Sequence, residues 1–310
     1  MVEKLFADYK NMIGKIVNDI LSSGARLVGF TILWSTLNAS VILARELKKR
    51  RAEIYIVMGG PHCSKNVDGE KIASMPYVDF CIHGEGEETL SELIKALENE
   101  RDTLGVKGLF CKFNGKIVYT GDRPLIYDFN SLPFADYDNY DFSFYEKPVM
   151  LPVSCSRGCP NKCIYCDERI FWSGFRVRSG ERIFREIEYL TNRYGVERFE
   201  FCDSVVNGDI NTLVRFCELI IEKGLQIKWM GQAMVHHKMT KEVLRKIKKS
   251  GCFHLCFGME HTSKPLLFKI GKIFCKDTDF DQLIHDCYEV GMPTGLNWMF
   301  GFPGETNEDF

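Results

Sequence analysis

Four cysteines lie within twelve residues of this chain, at Cys155, Cys159, Cys163 and Cys166. Thiols clustered this tightly in a long chain usually bind metal. Zinc sites normally take two ligand pairs separated by a longer arm, and bacterial ferredoxins space their cysteines by two, two and three residues, so neither template fits. Cys159, Cys163 and Cys166 are spaced by three and two residues. Such a set can hold three irons of a [4Fe-4S] cube and leave the fourth iron open to a small ligand.

An iron that no cysteine holds indicates chemistry at the cluster. Cys155 is the surplus thiol, because taking it as the first ligand would put Lys162 where the third cysteine should stand. We therefore interpret Cys155 as a packed residue beside the site. A zinc site and unrelated core thiols are the alternatives. A non-catalytic electron carrier or redox sensor is the least favoured function, because a carrier normally protects all four irons with thiolates.

Composition and charge limit the classes of protein that can carry this site. The 310 residues suffice for two domains, and the hydrophobic and charged fractions, 45% and 26%, are typical of globular chains. A formal charge of −2 argues against a nucleic-acid partner. Polar residues interrupt the longest apolar stretch, residues 28–44, so no membrane span is predicted. The N-terminus lacks a secretory pattern and the 13 cysteines suit a reducing compartment, so a cytoplasmic location is predicted.

The cysteine loop follows a predicted strand, and the chain beyond it alternates strands with helices. The predicted strands are residues 149–154, 198–203, 226–232, 253–260 and 294–300. The predicted helices are residues 181–194, 210–223, 241–250 and a helical pair at 265–290. Repeated β/α units predict a partial (β/α)6 TIM-like barrel over residues 148–310, with the loops after its strands at one mouth. Thr306 and Asp309 resemble a helix N-cap at the chain end, so we expect the barrel to be truncated there.

The first part of the chain shows the same alternation. The predicted strands and helices are, in order, residues 27–33, 41–49, 54–58, 78–82 and 87–98. Alternating segments of this kind are typical of a parallel sheet. The sequence therefore predicts an α/β fold in which a Rossmann-like, doubly wound parallel sheet precedes the barrel. The residues ahead of Ala25 are predicted to form an amphipathic helix.

A hairpin and a linker are predicted between the two parts. Asn114 and Gly115 supply the positive φ values of a type I′ turn between strands at 107–111 and 116–119. Residues 121–147 carry prolines and acidic residues without a clear period, which is typical of an ordered connection. The predicted domains are residues 1–120 and 148–310.

The stretch from Cys159 to Cys166, with Tyr165 before the last cysteine, resembles the signature of radical S-adenosylmethionine (SAM) enzymes. The resemblance implies that the amino and carboxylate groups of SAM chelate the open iron. It also implies that one electron from the cluster cleaves SAM reductively to methionine and a 5′-deoxyadenosyl radical. Tyr165 is then implied to lie against the adenine.

Further segments of the second half match this family at predicted strand ends. The implied SAM-binding residues are Glu260 in Gly258-Met-Glu260, and Gly301 and Glu305 in the segment that starts at Asn297. Asn297 stands where the family usually has a glycine. The family's Gly-Gly-Glu after the second strand is absent, so we expect Asp203 to replace that carboxylate and Gln232 to assist. For each polar residue, a hydrogen-bonded place at the barrel rim is the alternative.

The first half resembles the cobalamin-binding domain that precedes one class of radical SAM enzymes, over most of residues 25–135. The loops after its predicted strands share one sheet edge, where small residues leave room for a bulky nucleotide tail. The implied cobalamin-binding residues are Ser35, Thr36, Gly59, Gly60, His62, Gly84, Glu85 and Gly86. His62 lacks the flanking Asp and Gly of the histidine-ligated motif, so we predict cobalamin without histidine on cobalt. The family sheet usually has an earlier strand, so we expect truncation at the N-terminus too.

The two resemblances together predict a cobalamin-dependent radical SAM enzyme that methylates an unactivated carbon of a small-molecule or peptide substrate. The implied cofactors are a [4Fe-4S] cluster, SAM and cobalamin, with flavodoxin or ferredoxin as electron donor. Radical oxidation or ring formation uses the same parts and is the alternative, with or without functional cobalamin. The sequence identifies neither the substrate nor a catalytic side chain.

Overall fold

Apolar runs in the first unit form a five-stranded sheet, as the computed structural model shows over the residues it describes, 2–272 and 278–309. The first unit spans Met1–Ile126 and the second Tyr127–Phe310, so the division falls inside the predicted linker. The first unit's helices are α1 (Val2–Ser22), α2 (Leu37–Arg50), α3 (Gly69–Ala73) and α4 (Gly86–Glu98). Its strands are β1 (Leu27–Thr31), β2 (Tyr55–Gly59), β3 (Phe80–Ile82), β4 (Leu109–Phe113) and β5 (Lys116–Tyr119).

The sheet of the first unit has the order β1-β2-β3-β4-β5. Strands β1, β2 and β3 are parallel neighbours, so the loops that follow them lie at one edge, as predicted. Buried residues on α2 and α3, such as Leu47 and Ile72, pack on one face, while Leu93 of α4 belongs to a second cluster with Val57. Helices on both sheet faces confirm the predicted α/β fold class.

The hairpin predicted from Asn114 and Gly115 is present. The φ values of these residues are +48° and +76°, which a type I′ turn requires. Phe113 pairs with Lys116 across the turn, and β4 and β5 extend the sheet in the antiparallel direction. The first hairpin strand begins two residues later than predicted, at Leu109.

The second unit is built on five parallel strands. These are β6 (Met150–Val153), β9 (Arg198–Phe201), β10 (Lys228–Met234), β11 (Cys252–Glu260) and β12 (Thr294–Trp298), adjacent in that order. A two-stranded antiparallel ribbon joins β7 (Ser156–Arg157) to β8 (Arg176–Val177). The helices are α5 (Glu168–Trp172), α6 (Gly180–Tyr194), α7 (Ile210–Lys223), α8 (Lys241–Lys249), α9 (Lys264–Lys269) and α10 (Phe280–Glu289). This open parallel sheet confirms the partial barrel; part of the predicted helical pair, residues 273–277, lies outside the described residues.

Alternation along the strands determines where the core lies. In β9, Phe199 and Phe201 are buried while Arg198 and Glu200 are exposed, so one strand face packs on the helices. Trp229 is fully buried, with its ring 5.2 Å from that of Phe201. No described helix is both long and apolar enough to cross a lipid bilayer.

The segment ahead of β6 packs against the rest of the second unit, and the ring of Phe129 is one of its contacts. Phe129 is buried, with the guanidinium carbons of Arg157 and Arg178 at 4.6 and 4.5 Å from its ring centre. Cations over an aromatic face are attracted by its quadrupole. Arg157 also lies over the ring of Trp172, at 5.0 Å. The segment therefore contacts the residue two positions before Cys159.

Candidate functional site

The cysteine loop starts directly after β6 and is held by backbone hydrogen bonds to a distant segment. Lys162 N–H donates to the carbonyl of Gly271 at 3.2 Å, and Ile164 N–H donates to that of Ile270 at 2.9 Å. Gly271 has a φ of +83°, and a Cβ built there would lie 2.3 Å from the carbonyl oxygen of Lys162. Only glycine allows the two segments to approach so closely.

The structure brings Cys159, Cys163 and Cys166 together in this loop. Burial raises the pKa of Cys159 to about 11 and also raises that of Cys163; the neighbouring thiols contribute in the same direction. Among the described residues, a group of ligand atoms within 4.8 Å of one another is formed by His285, Asp286 and Glu289. The three thiols do not belong to this group, and their role as ligands of an iron–sulfur cluster stays a prediction from their spacing.

Cys155 lies apart from this set, in the core of the second unit. It is 4% exposed and belongs to the same hydrophobic cluster as Leu151 and Val153. Burial raises the pKa of its thiol well above the usual range. Its packing agrees with the interpretation of Cys155 as a buried residue beside the site.

Asp203, at the end of β9, fastens the start of the cysteine loop. It is 4% exposed, and its carboxylate accepts hydrogen bonds from the N–H of Cys155 at 3.1 Å and from the hydroxyl of Ser156 at 2.6 Å. The N–H of Ser156 donates to it as well. Burial raises the pKa of this carboxyl, and the hydrogen bonds from Ser156 and Cys155 act in the opposite direction. The carboxylate is thus occupied by the loop, and its predicted contact with SAM stays a prediction.

Substituting Asp203→Asn is expected to destabilise the second unit by about 2–3 kcal/mol, because an amide group would face three hydrogen-bond donors. Chemical unfolding in urea measures this loss. The matched control is Asp209→Asn, since Asp209 caps α7 through the N–H of Thr212 and asparagine caps helices equally well. Equal stability of the two variants would contradict the role of Asp203 in holding the loop.

Glu260, Tyr165 and Cys163 form a contact chain at the barrel mouth. Glu260 ends β11 with a left-handed φ of +63°. Burial raises the pKa of Tyr165, and the Cys163 thiol and the Glu260 carboxyl raise it further. The two predicted SAM contacts, Tyr165 and Glu260, are therefore beside the cysteine loop.

The other predicted SAM residues are distributed around the strand ends. Gln232 is exposed on β10, in register with Cys256 of β11. Gly301 has a φ of +78° and open space at its Cβ position. Glu305 accepts a hydrogen bond from the N–H of Phe302 at 2.8 Å, and its other oxygen lies 3.5 Å from Nε2 of His261. Glu305 thus closes its own loop, and the SAM contacts of all three stay predictions.

In the first unit, the predicted cobalamin residues lie in the loops after β1, β2 and β3. Gly60, with a φ of +102°, brings the second loop against the backbone of Ile32, 3.0 Å from its Cβ position. The hydroxyl of Thr36 accepts from Leu33 N–H and donates to the Thr31 carbonyl, each at 2.8 Å, which fixes the first loop. Gly84, with φ +73°, has open space at its Cβ position.

The remaining predicted cobalamin residues differ in their surroundings. Ser35 is exposed, and Gly59 ends β2. Glu85 directly precedes α4, which begins at Gly86, and its carboxylate accepts a hydrogen bond from Ile126 N–H at 2.7 Å. The structure therefore brings the predicted loops to one edge, and their contacts with cobalamin stay predictions.

His62 and Trp34 form an aromatic pair at this edge. His62 is 6% exposed, and its ring lies 4.4 Å from that of Trp34 in an edge arrangement. Nδ1 of His62 is buried without a hydrogen-bond partner. Trp34 is 75% exposed, so its indole presents an open apolar face beside the buried imidazole.

Sequence reasoning missed two residues at the cysteine loop. Lys272 is 6% exposed, and its ammonium lies 2.8 Å from the Glu260 carboxylate. Asn161 is also buried and donates to the sulfur of Met234 at 3.6 Å, while its carbonyl oxygen has no hydrogen-bond partner. A charged or amide side chain in a loop is exposed in most proteins, so no pattern in the sequence indicated these positions.

Comparison with protein families adds two matches. The profile described as the Radical SAM superfamily matches residues 153–310, and that described as the B12 binding domain matches residues 3–94. The chain is 30% identical over 308 residues to an uncharacterized methyltransferase of Pyrococcus horikoshii, covering 98% of this chain and 65% of that protein. It is 30% identical over 271 residues to the anaerobic magnesium-protoporphyrin IX monomethyl ester cyclase of Synechocystis, covering 85% of this chain and 53% of that protein.

Two solved structures share the fold. The radical SAM methyltransferase TsrM from Kitasatospora setae, solved with tryptophan and a SAM analogue, has a TM-score of 0.74 at 19% identity, over 97% of this chain and 61% of that one. The cobalamin-dependent SAM radical enzyme OxsB, solved with aqua-cobalamin and SAM, has a TM-score of 0.72 at 18% identity, over 92% of this chain and 42% of that one. This chain thus spans between about two fifths and two thirds of these proteins.

Proposed function

The chain belongs to the radical SAM superfamily and carries a B12 binding domain ahead of its radical SAM domain, and from this we propose that it is a cobalamin-dependent methyltransferase. The proposed reaction methylates an unactivated carbon of a small-molecule or peptide substrate. The family's cofactors are a [4Fe-4S] cluster and SAM, to which the first domain adds cobalamin. The observation that carries the proposal is a loop with three thiols, beside Glu260 and Tyr165, in a chain that also has the cobalamin fold.

The donor set of the loop fits an iron–sulfur cluster with one open iron. Cys159, Cys163 and Cys166 would hold three irons, since thiolates are the usual ligands of such clusters and these cysteines are spaced by three and two residues in one loop. We propose that Cys155, which is packed in the core with Leu151 and Val153, supplies no fourth thiolate. The open iron is then free for a ligand, which an electron carrier does not require.

The remaining residues would bind and orient SAM. The Glu260 carboxylate, at the barrel mouth, is an acceptor for the ribose hydroxyls or the amino group. Tyr165 would lie against the adenine, with its hydroxyl held between Cys163 and Glu260. When bound, the cluster and SAM supply a 5′-deoxyadenosyl radical that abstracts hydrogen from the substrate carbon. The protein's part is to hold these groups and to exclude water from them.

The residues of the first unit fit a cobalamin tail at the shared edge. Gly84 leaves open space there, and Trp34 offers an apolar face. His62 is an unsuitable cobalt ligand, because its ring is buried and covered by Trp34. We therefore propose that cobalamin binds without histidine on cobalt.

Substituting His62→Ala is expected to leave the electron paramagnetic resonance spectrum of bound cob(II)alamin unchanged, because no imidazole nitrogen coordinates the cobalt. The affinity for cobalamin is expected to fall by less than about ten-fold, which corresponds to 1.4 kcal/mol. The exposed His285, in the other unit, provides the matched His→Ala control. Loss of nitrogen hyperfine splitting in the His62 variant alone would reverse this assignment.

The function is tested by anaerobic reconstitution of the chain with iron, sulfide and cobalamin, followed by reduction in the presence of SAM. Formation of 5′-deoxyadenosine reports the radical, and S-adenosylhomocysteine reports methyl donation. The proposal expects both products. Formation of 5′-deoxyadenosine alone would exclude the methyltransferase and leave a radical enzyme. Zinc in place of iron would exclude both.

A radical ring-forming or oxidising enzyme is the second candidate. The observation that favours it is the 30% identity to the magnesium-protoporphyrin cyclase. Either reaction needs one-electron reduction, so we propose flavodoxin or ferredoxin as electron donor. We also propose a cytoplasmic location for the protein.

A further inference from the structure

Lys272 carries a buried positive charge. It directly follows Ile270 and Gly271, the two residues that are hydrogen-bonded to the cysteine loop. The carbonyls of Ile270 and Gly271 accept hydrogen bonds from the N–H groups of Ile164 and Lys162. The N–H of Lys272 donates in turn to the carbonyl of Leu267 at 2.9 Å. Backbone contacts on both sides thus fix Lys272 next to the loop that contains Cys163.

The ammonium of Lys272 is held in one place. Its side chain is 6% exposed and lies 2.8 Å from the carboxylate of Glu260, which is 14% exposed. A Cβ built on Gly258 would lie 2.9 Å from Nζ of Lys272 and 2.9 Å from Oε1 of Glu260. The absence of a side chain at Gly258 is therefore what leaves room for this ion pair in the barrel mouth.

The ion pair lies beside the loop that carries the thiols. A Cβ built on Gly271, the residue before Lys272, would lie 3.4 Å from Cα of Cys163, so the backbone leading into Lys272 is in contact with a proposed cluster ligand. Both charges of the pair are largely buried, so solvent screens them weakly. Lys162 is closer in sequence to Cys163, but it is exposed, and solvent screens exposed charges strongly.

We propose that Lys272 and Glu260 set the reduction potential of the cluster, with Lys272 raising it and Glu260 lowering it. The proposal rests on the proposed function, because it requires a cluster on Cys159, Cys163 and Cys166. Reduction adds one electron to the cluster, and that negative charge is stabilised by a buried cation and destabilised by a buried carboxylate. Lys272 is a positioning residue in this sense, since it acts on the cluster through its charge.

The test is a redox titration of the reconstituted chain without SAM, followed by electron paramagnetic resonance. Lys272→Met is expected to lower the ratio of reduced to oxidised cluster about ten-fold at fixed potential, a shift of about −59 mV for a one-electron couple. Lys272→Arg keeps the charge and is expected to retain the wild-type potential. Glu260→Gln is expected to shift the midpoint in the positive direction.

The matched control is Lys162→Met, which removes an exposed lysine from the same loop and is expected to leave the midpoint unchanged. Equal midpoints for Lys272→Met and wild type, at equal iron content, would overturn the proposal while leaving the proposed function intact. If Lys272→Met fails to load iron, the midpoint potential of Glu260→Gln tests the proposal instead. A positive shift supports it, and an unchanged midpoint overturns it. A wild-type chain that holds no [4Fe-4S] cluster overturns both the function and this inference.

Discussion

Substituting Cys159, Cys163 or Cys166 by serine is expected to reduce the yield of 5′-deoxyadenosine at least about 1,000-fold, because the reductive cleavage of SAM has no other route in this protein. Each substitution leaves two thiolates for a cube that needs three. The iron content of the reconstituted protein is expected to fall, and so is the visible charge-transfer absorbance of the iron–sulfur cluster. Iron and sulfide analysis and a 5′-deoxyadenosine assay measure the two effects.

The matched control for this prediction is Cys155→Ser, in the same stretch of chain. Cys155 is buried in the core of the second unit, in one cluster with Leu151 and Val153. Its substitution is therefore expected to cost stability, by about 1 kcal/mol, and to leave the iron content unchanged. Loss of the cluster from the Cys155 variant, with retention in one of the other three, would show that the ligand set was misassigned.

Substituting Gly271→Ala is expected to detach the cysteine loop from the segment that holds it. The added methyl group would lie 2.3 Å from the carbonyl oxygen of Lys162, and the φ of +83° is itself unfavourable for alanine. Left-handed strain and overpacking together predict a loss of about 2–5 kcal/mol in the free energy of unfolding. Urea unfolding and the iron content after reconstitution measure this, and we expect both to fall.

Gly291→Ala separates the two causes. Gly291 has a φ of +65° but nothing within 4 Å of its Cβ position, so alanine there carries the strain without the clash. Its loss of stability is expected to be about 1 kcal/mol, with full iron loading. An equal loss in both variants would mean that the contact with Lys162 contributes nothing to the loop.

Local patterns made much of this molecule predictable. The spacing of Cys159, Cys163 and Cys166 sufficed to predict that these thiols share one loop, because they lie in one short stretch of chain. Asn114 and Gly115 sufficed for the hairpin, since the turn depends on their own φ values. The alternation of β-rich runs with helical segments predicted both parallel sheets, since neighbouring strands in such units are joined by the helix between them.

Contacts between distant segments were not predictable in this way. Asp203 was expected to contact SAM, and its hydrogen bonds to Cys155 and Ser156 depend on β6 and β9 being neighbours. The buried ammonium of Lys272 depends on the path of the chain after α9 and on the space above Gly258. The periodicity of a single sequence does not indicate which distant loop a lysine side chain will contact.

The linker boundary shows the same limit. Residues 121–147 have the composition of a connection, yet the residues from Tyr127 onward pack with the second unit. Phe129 accounts for part of this, since two arginines that are far from it in sequence enclose its ring. Cation–aromatic contacts of this kind leave no local signature, because arginine is common on exposed surfaces as well.

Arg157 lies over the ring of Phe129 and stands two residues before Cys159, so the segment that carries Phe129 is in contact with the cysteine loop. Iron loading is therefore expected to protect this segment from proteases. Brief chymotrypsin digestion of the iron-loaded chain is expected to spare Tyr127, which is exposed two residues before Phe129, and digestion of the metal-free chain to cut there first. Mass spectrometry of the fragments would identify the cleavage sites and so report, without spectroscopy, whether the cluster is bound.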